Sequence, residues 1–254
     1  AVARGVPEHV ASELFDEIMD FANYAFNKAH AVCYAVVSYR TAYLKCHYPR
    51  EYMAALLTSV IDSTDKIAEY IAAARDMGLT VLPPDVNESE DNFSVSGSGI
   101  RFGLAALKNV GRSFMRKLVE ERNANGPFTG LNDFCERMHD HDLNRRAVES
   151  LIKAGAFDSF GFYRSQLLQV YNSVIDAVAD KRRKNIEGQL DLFGMGYEEV
   201  EDVQVTMPRI PEMERRELLA QEKQAVGLYL SGHPMEAYQE PARKVGAVPI
   251  RTIL

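Results

Sequence analysis

The distribution of apolar residues along the chain predicts a structure built mainly from α-helices. Apolar side chains recur at three- and four-residue spacing, the pattern of a helix that packs one face against a core. Proline and glycine mark helix ends: Pro49 stops one segment, and Gly78 suits the position just after another. The segments predicted to be helical are 7–24, 29–47, 49–60, 62–77, 104–180 and 212–228.

Two stretches depart from the helical pattern. Between residues 93 and 103, apolar and polar residues alternate around Gly97-Ser98-Gly99, which predicts a β-hairpin. Residues 185–211 are irregular and acidic and contain Pro208 and Pro211, so we expect a linker or a partly ordered segment. The predicted fold class is therefore mainly α with one small β-hairpin.

The composition adds further constraints. A chain of 254 residues that is 46% hydrophobic can bury the core of one large or two small domains. No apolar run is long enough to cross a bilayer, so no membrane partner is expected. Three widely spaced cysteines fit reduced thiols better than a disulfide framework. Because the chain begins at Ala1 without an initiator Met, we expect a piece of a longer protein.

Charge is distributed unevenly along the chain. The formal net charge of −7 argues against a uniformly basic nucleic-acid-binding domain. Yet residues 21–50 contain basic side chains and no carboxylate, and more basic residues cluster in 101–122 and 181–184. Such local basic surfaces attract phosphates even on an acidic chain. Solvated helix faces have the same composition, so charge alone leaves both interpretations open.

One stretch has the outline of a helix-hairpin-helix motif. A short apolar helix from Gly103 leads into a hairpin that ends at Gly111, and a second helix begins at Arg112. A glycine there lets the backbone approach a phosphate, which the N-terminal amides and dipole of the second helix then hold. Asn109 stands where the motif usually has its first glycine, and asparagine tolerates the left-handed conformation.

Contacts of this kind touch only phosphates, so binding of duplex DNA would be independent of base sequence and sensitive to salt. An ordinary αα-hairpin is the alternative. The segment from Asn144 through Gly155 to Tyr163 has a similar outline and is either a degenerate second copy or an unrelated turn. The residues predicted to contact DNA are Lys108, Asn109, Val110, Gly111, Arg112 and Arg116.

A short peptide in the predicted linker resembles the sliding-clamp-binding pentapeptide of bacterial replication proteins. It consists of Gln189, Leu190, Asp191, Leu192 and Phe193, between two glycines. A glutamine amide can set the register while the last two side chains fill apolar pockets of a preformed cleft. The alternative is that these apolar residues fasten the linker to its own domain.

Taken in chain order, these motifs resemble a segment of the C-family bacterial replicative polymerases, the polymerase III α subunits. The resemblance implies helical fingers, a small β-hairpin, a helix-hairpin-helix region, and a linker and helix leading to a further domain. The stretches that carry it are Phe26 to Ala31, Tyr39 to Pro49, Glu51 to Ala55, Val81 to Asn87, Gly103 to Gly111, Asn144 to Asp158, the pentapeptide, and Gly227 to Pro234.

The resemblance also implies a division of labour. Residues 1–85 would be fingers, 86–185 would bind duplex DNA, and 186–254 would carry the clamp tether and a connector. The whole protein would be a DNA-directed DNA polymerase of the cytoplasm, at replication forks with other replisome subunits. It would extend primer-template DNA from deoxynucleoside triphosphates with two Mg²⁺ ions.

Lys28, His30 and Arg40 would then face the incoming nucleotide. No paired-aspartate strand motif occurs in the sequence, so no catalytic or metal-binding residue is assigned and no polymerisation is expected from this chain alone. Two other functions are considered. One is a stand-alone helix-hairpin-helix module that recruits the clamp in repair, and the other is a metal-dependent hydrolase built on His139-Asp140-His141-Asp142.

Overall fold

The computed structural model describes residues 1–25, 28–190 and 205–248, and only the backbone of 23–25, 28 and 184–190. Within these residues the chain is mainly helical with one small sheet, which confirms the predicted fold class. It divides into two compact units, Ala1–Tyr52 and Met53–Leu254. The functional division at residues 85 and 185 stays a prediction.

The helices and strands are numbered here in chain order. The strands are β1 (Val81–Leu82), β2 (Ser94–Ser96) and β3 (Gly99–Arg101). Short 3₁₀ turns cover Val2–Arg4, Leu104–Ala106, His139–His141, Asp158–Phe160 and Pro234–Tyr238. The described α-helices are α1 (Glu8–Ala25), α2 (Lys28–His47), α3 (Pro49–Ser59), α4 (Thr64–Asp76), α5 (Arg112–Asn125), α6 (Leu131–Met138), α7 (Arg145–Lys153), α8 (Arg164–Leu190), α9 (Arg215–Val226) and α10 (Gln239–Lys244). None of the described helices is long and apolar enough to cross a membrane.

The first unit consists of two long helices and the start of α3. Both helices form where the apolar periodicity predicts them, and Pro49 begins α3 because its ring suits the first helical turn. No side chain described in this unit is buried. The apolar face of α1 is open to solvent, as Phe15 and Phe21 are 61% and 76% exposed. Tyr34, Tyr39, Tyr43 and Tyr48 on α2 and its end are likewise exposed.

A three-stranded sheet opens the second unit after α3 and α4. β2 and β3 form the predicted antiparallel hairpin, with Val95 opposite Ile100. β1 adds to the other edge of β3 in parallel, with Val81 opposite the same residue. Ile100 and Phe102 are fully buried, so β3 and the residue after it belong to the core of this unit.

The main core of this unit lies between α5 and α8. Three aromatic rings form a chain of edge-to-face contacts: Phe128 meets Phe134 at a centroid distance of 5.0 Å, and Phe134 meets Phe157 at 4.9 Å. The apolar faces of α6 and α7 both pack on α8. These buried aromatic and aliphatic side chains stabilise the unit by removing apolar surface from water.

A buried arginine ties α5 to the loop after β1. Arg122 is 7% exposed and donates to the carbonyls of Val86, at 3.2 Å, and Ser89, at 2.7 Å, and to the Glu90 carboxylate at 3.0 Å. The loop after β1 therefore has a structural role, because two of its backbone carbonyls accept from a charged donor on a helix further along the chain.

The end of α9 is held by three polar contacts. Glu222 is 1% exposed and accepts hydrogen bonds from the amides of Leu230 and Ser231 in the turn after the helix. Arg75 of α4 donates to the Leu230 carbonyl at 2.7 Å. Gly227 ends the helix at φ 93°, a left-handed conformation that favours glycine.

The structure corrects one predicted boundary. The linker was expected to begin at residue 185, but α8 continues to Leu190. After residue 204 the described chain returns to the N-terminus of α8, where Glu212 accepts hydrogen bonds from the amides of Arg164 and Ser165 at 2.9 and 3.0 Å.

The pKa of Glu212 is lowered by its hydrogen bonds. Burial opposes ionisation of this carboxyl, but the hydrogen bonds from these two amides and from the amide of Met213 outweigh that effect. Its contribution to stability is therefore present above its ordinary pKa and is lost as the pH falls through the lowered one.

Replacement of Gly227 by alanine should destabilise the second unit strongly. A Cβ there would overlap with Thr64 Cγ2 and lie 3.1 Å from Lys108 Cε, in addition to the strain of the left-handed conformation. We expect a loss of about 2–4 kcal/mol in the free energy of unfolding, measured by urea denaturation. Gly78→Ala is the matched control, because Gly78 has φ 77° and nothing within 4 Å of its Cβ position. It should cost only about 1 kcal/mol, and equal losses would contradict the role of the crowded contact.

Candidate nucleic-acid interface

The predicted helix-hairpin-helix motif forms as a compact hairpin in the second unit. The 3₁₀ turn Leu104–Ala106 leads into residues 107–111, and α5 begins at Arg112 with Gly111 as its N-cap. Asn109 has φ 62°, so it occupies the left-handed conformation that the sequence predicts for it. The first intrahelical bond of α5 runs from the Met115 amide to the Gly111 carbonyl at 3.1 Å.

The N-terminus of α5 is suited to binding an anion. The first amides of a helix have no acceptor within it, and those of Arg112, Ser113 and Phe114 precede the first intrahelical bond. Gly111 is exposed, and nothing lies within 4 Å of the position that a Cβ would take. A phosphate oxygen can therefore reach these amides at the positive end of the helix dipole.

The six residues predicted to contact DNA have different environments. Asn109 and Gly111 lie at the open face of the hairpin, and Arg116 is exposed without an ion pair among the described residues. Arg112 instead forms an ion pair with Asp62, which offsets its charge. The Val110 side chain is 9% exposed and packs inward.

The backbone amide of Lys108 is hydrogen-bonded within the protein, whereas its side chain is exposed. Its amide donates to the Ala225 carbonyl at 2.8 Å, so this N–H is not available to a phosphate, while its side chain passes beside Gly227 and is exposed. Sequence analysis missed both this bond and the ion pair of Arg112 with Asp62. Each joins residues remote in the chain, and nothing in the local pattern indicates them.

The second predicted element is a longer and more apolar hairpin. Asn144 is the N-cap of α7, with its side chain accepting from the Ala147 amide at 2.9 Å. The turn after α7 contains Gly155, which has φ 80° and lies beside the ion pair of Arg164 with Asp158. Residues 154–157 of this turn are buried, so their backbone is less open to a ligand than that of Gly111 in the first hairpin.

The residues predicted to face a nucleotide all lie on α2, but the helix does not gather them on one face. Arg40 lies about 18 Å along the axis from Lys28 at 1.5 Å per residue, and His30 lies about 200° around the axis from Lys28. The His30 ring stacks edge-on against Tyr34 at 4.5 Å, and Arg40 is exposed. Their role stays a prediction.

The predicted clamp peptide falls largely outside the described residues. Gln189 and Leu190 form the last residues of α8, where only the backbone is described. Asp191, Leu192 and Phe193 lie in the range 191–204, which the structure does not describe. The clamp-binding role of all five residues therefore stays a prediction.

Residues 139–142 form salt bridges instead of a shared metal site. Asp142 lies 2.8 Å from Lys117 Nζ, whose hydrogen bond lowers the pKa of that carboxyl. Asp140 pairs with Arg182, and this bond, with a smaller one from His139, lowers its pKa too. Across the described parts of the chain, no three histidine, cysteine or acidic side chains are grouped so that they could hold a metal ion. The described residues thus offer no site that fits Mg²⁺.

Comparison with known proteins agrees with this geometry. A family model described as "Helix-hairpin-helix motif" matches residues 78–167, which include both hairpins. The DNA polymerase III subunit alpha of Thermus aquaticus is 46% identical over 238 residues, or 94% of this chain and 19% of that protein. The protein of the same name from Mycobacterium tuberculosis is 46% identical over 236 residues, or 92% of this chain and 20% of the relative.

A more distant relative covers nearly the whole chain. The DNA polymerase III subunit alpha of Chlamydia trachomatis is 38% identical over 253 residues, which is 99% of this chain and 20% of its own length. The chain thus spans about a fifth of the relatives that it matches. The resemblance to polymerase III α subunits is confirmed, and the chain is homologous over nearly all of its length to one segment of them.

Proposed function

From this homology and the open hairpin, we propose that the chain is a DNA-holding segment of a bacterial replicative DNA polymerase. The observation that carries the proposal is the N-terminus of α5. Exposed Gly111, left-handed Asn109 and three amides without intrahelical acceptors lie there in a stretch that matches a helix-hairpin-helix model. The whole protein would act as a DNA-directed DNA polymerase in the cytoplasm, at replication forks with other replisome subunits.

The hairpin would hold the DNA backbone and not its bases. The α5 amides would donate to phosphate oxygens, and Arg116 would add a charge one turn further along the same helix. Because phosphates carry no sequence information, a polymerase could hold any product duplex in this way and slide along it.

Binding of duplex DNA should depend on charge at Gly111. Aspartate and asparagine are both good N-cap residues, and nothing lies within 4 Å of the Cβ position at Gly111, so both variants should fold. Gly111→Asp adds a negative charge where the phosphate binds, and we expect a loss of affinity of about tenfold or more. The measurement is fluorescence anisotropy with a labelled duplex.

Gly111→Asn is the matched control, because its side chain caps the same amides without the negative charge, so it should bind duplex DNA more tightly than Gly111→Asp does. Arg116→Gln should weaken binding of the duplex and reduce the slope of log affinity against log salt concentration (the salt slope) by about 0.9. Arg243→Gln on α10 should change neither the affinity nor this slope. Equal affinity of the two Gly111 variants would show that the duplex binds elsewhere.

The first unit would contribute to the nucleotide side of the active site. α2 begins at Lys28 and lies in a stretch that contains basic residues and no carboxylate, which favours an approaching triphosphate. Lys28, with help from His30 and Arg40, would offset charge that develops on the phosphates. The Mg²⁺ ions of the reaction would be held by carboxylates outside this chain.

Two measurements test this role. The purified chain alone should extend no primer, because it lacks a fitting metal site in its described residues. In the whole protein, Lys28→Ala should raise the KM for deoxynucleoside triphosphates by about tenfold while the affinity for duplex DNA is retained. Unchanged kinetics would remove Lys28 from the nucleotide site.

Gln189, Leu190, Asp191, Leu192 and Phe193 would tether the polymerase to the sliding clamp. The peptide begins with the last two residues of α8, and the chain returns to the start of that helix through Glu212. Both ends of the intervening segment are thus attached to one unit. A tether to a ring around DNA raises the local concentration of the primer end, which turns modest peptide affinity into processive synthesis.

Calorimetry with the bacterial clamp tests the tether. The triple variant Gln189→Ala, Leu192→Ala, Phe193→Ala removes the side chains that would set register and fill pockets, so we expect no detectable heat of binding. Its affinity for duplex DNA should equal that of the unmodified chain, which serves as the control for folding. Clamp binding that survives in the triple variant would place the contact on another surface.

The alternative of a stand-alone repair module is less well supported. It accounts for the hairpin and the peptide, but the homology to polymerase subunits also covers the two helices of the first unit. A role in recruiting the clamp without polymerisation would leave those helices without a function.

A further inference from the structure

A cavity lined mainly by polar residues lies beside the hairpin. It has a volume of about 240 Å³ and is bordered by Asn109, α7 and the C-terminal end of α9. At roughly 30 Å³ for each water-sized group, it can admit a phosphate with its ester oxygens. The cavity belongs to the second unit alone.

The charges around the cavity do not cancel. Lys153 Nζ lies 2.6 Å from the Glu149 carboxylate and donates to Gln224 Oε1 at 3.2 Å, so this lysine and this carboxylate offset each other. Arg146 also lines the cavity, is exposed, and has no ion pair among the residues that the structure describes. The net positive charge of the site is therefore that of the Arg146 guanidinium.

A hydroxyl that borders the same cavity is free to donate. Ser150 lines the cavity, and within the described parts of the chain its hydroxyl makes no hydrogen bond. Together with Arg146, this hydroxyl gives the cavity one charged and one neutral donor for an anion.

We propose that this cavity binds a second backbone phosphate of the DNA duplex, with Arg146 as its charged ligand and Ser150 as a hydroxyl donor. The inference rests on the proposed function, and it extends the DNA contact from the first hairpin to α7 of the second element. A guanidinium suits a phosphodiester because its planar donors match two phosphate oxygens. Two phosphates held at separate positions fix the orientation of a duplex, which one phosphate cannot do.

Neighbouring substitutions on α7 test the site by fluorescence anisotropy with a labelled duplex at several salt concentrations. Arg146→Gln should weaken binding about tenfold and reduce the salt slope by about 0.9. The matched control is Arg145→Gln, which removes the same charge one residue away, where the guanidinium pairs with Asp176 and donates to Asn172 at 2.7 Å. That control should bind as the unmodified chain does.

Two further variants separate a binding role from a structural one. Glu149→Gln removes the opposing charge and should tighten DNA binding, which mere disturbance of the helix would not do. Ser150→Ala keeps the packing volume nearly unchanged and should weaken binding about threefold without altering the salt slope. Arg146→Gln and Arg145→Gln variants of equal affinity would overturn the proposal, and the proposed function would stand if Gly111→Asp still lost affinity.

A titration with inorganic phosphate tests whether the cavity binds a phosphate of the DNA backbone or a free phosphate ion. Its titration, followed by the amide resonances of Asn109 and Ser150, should shift both signals in the unmodified chain and neither in Arg146→Gln. Shifts accompanied by unchanged DNA affinity of Arg146→Gln would identify a site for a free anion and overturn the assignment to DNA. If the unmodified chain bound no duplex at all, the proposed function would fail, and this inference with it.

Discussion

The amide of Lys108 donates to the carbonyl of Ala225 over 2.8 Å, and this bond joins the hairpin to the last turn of α9. α9 is itself fixed, because Gly227 turns the chain against Thr64 and because Glu222 holds the amides of the following turn. That turn is bound in addition by Arg75 of α4. The hairpin that we propose to hold DNA is therefore anchored from a segment more than a hundred residues away. Its open face can keep its geometry without any ligand.

Many basic side chains of the second unit are paired with carboxylates, and others are not. Arg112 pairs with Asp62, Lys117 with Asp142, and Arg145 with Asp176. Such exposed pairs add little stability, but they remove net charge from the surface. Arg116 and Arg146 are left without carboxylate partners among the described residues, next to the hairpin and the cavity. The proposed phosphate-binding surface is thus defined by where carboxylates are absent, and a count of basic residues along the sequence overestimates it.

Features that depend on a single residue could be predicted from the sequence, and features that depend on contacts between remote segments could not. Helix ends at Pro49, Gly78 and Gly227 follow from backbone chemistry that belongs to the residue itself, as does the left-handed conformation of Asn109. The strand β1 has only two residues and forms because β3 offers it an edge, so no local periodicity indicates it. The last turns of α8 contain Gly188 and no clear apolar face, and the helix simply continues there. The cavity required three elements remote in sequence to meet, which only the structure shows.

The two units differ in how their helices are stabilised, and this bears on what the chain can do. Helices in water depend mostly on packing of an apolar face, because an isolated helix of about 15 residues is only marginally stable by its intrinsic propensity. No described side chain of α1 or α2 is buried, and on α1 even the aromatic rings of Phe15 and Phe21 are exposed to solvent. The second unit has its own aromatic core, with the hairpin attached to it through α9. Duplex binding is therefore the proposed activity whose geometry the described residues of this chain maintain by themselves. The proposed role of Lys28 toward nucleotides would need an additional packing surface for α1 and α2, because their described side chains are not buried.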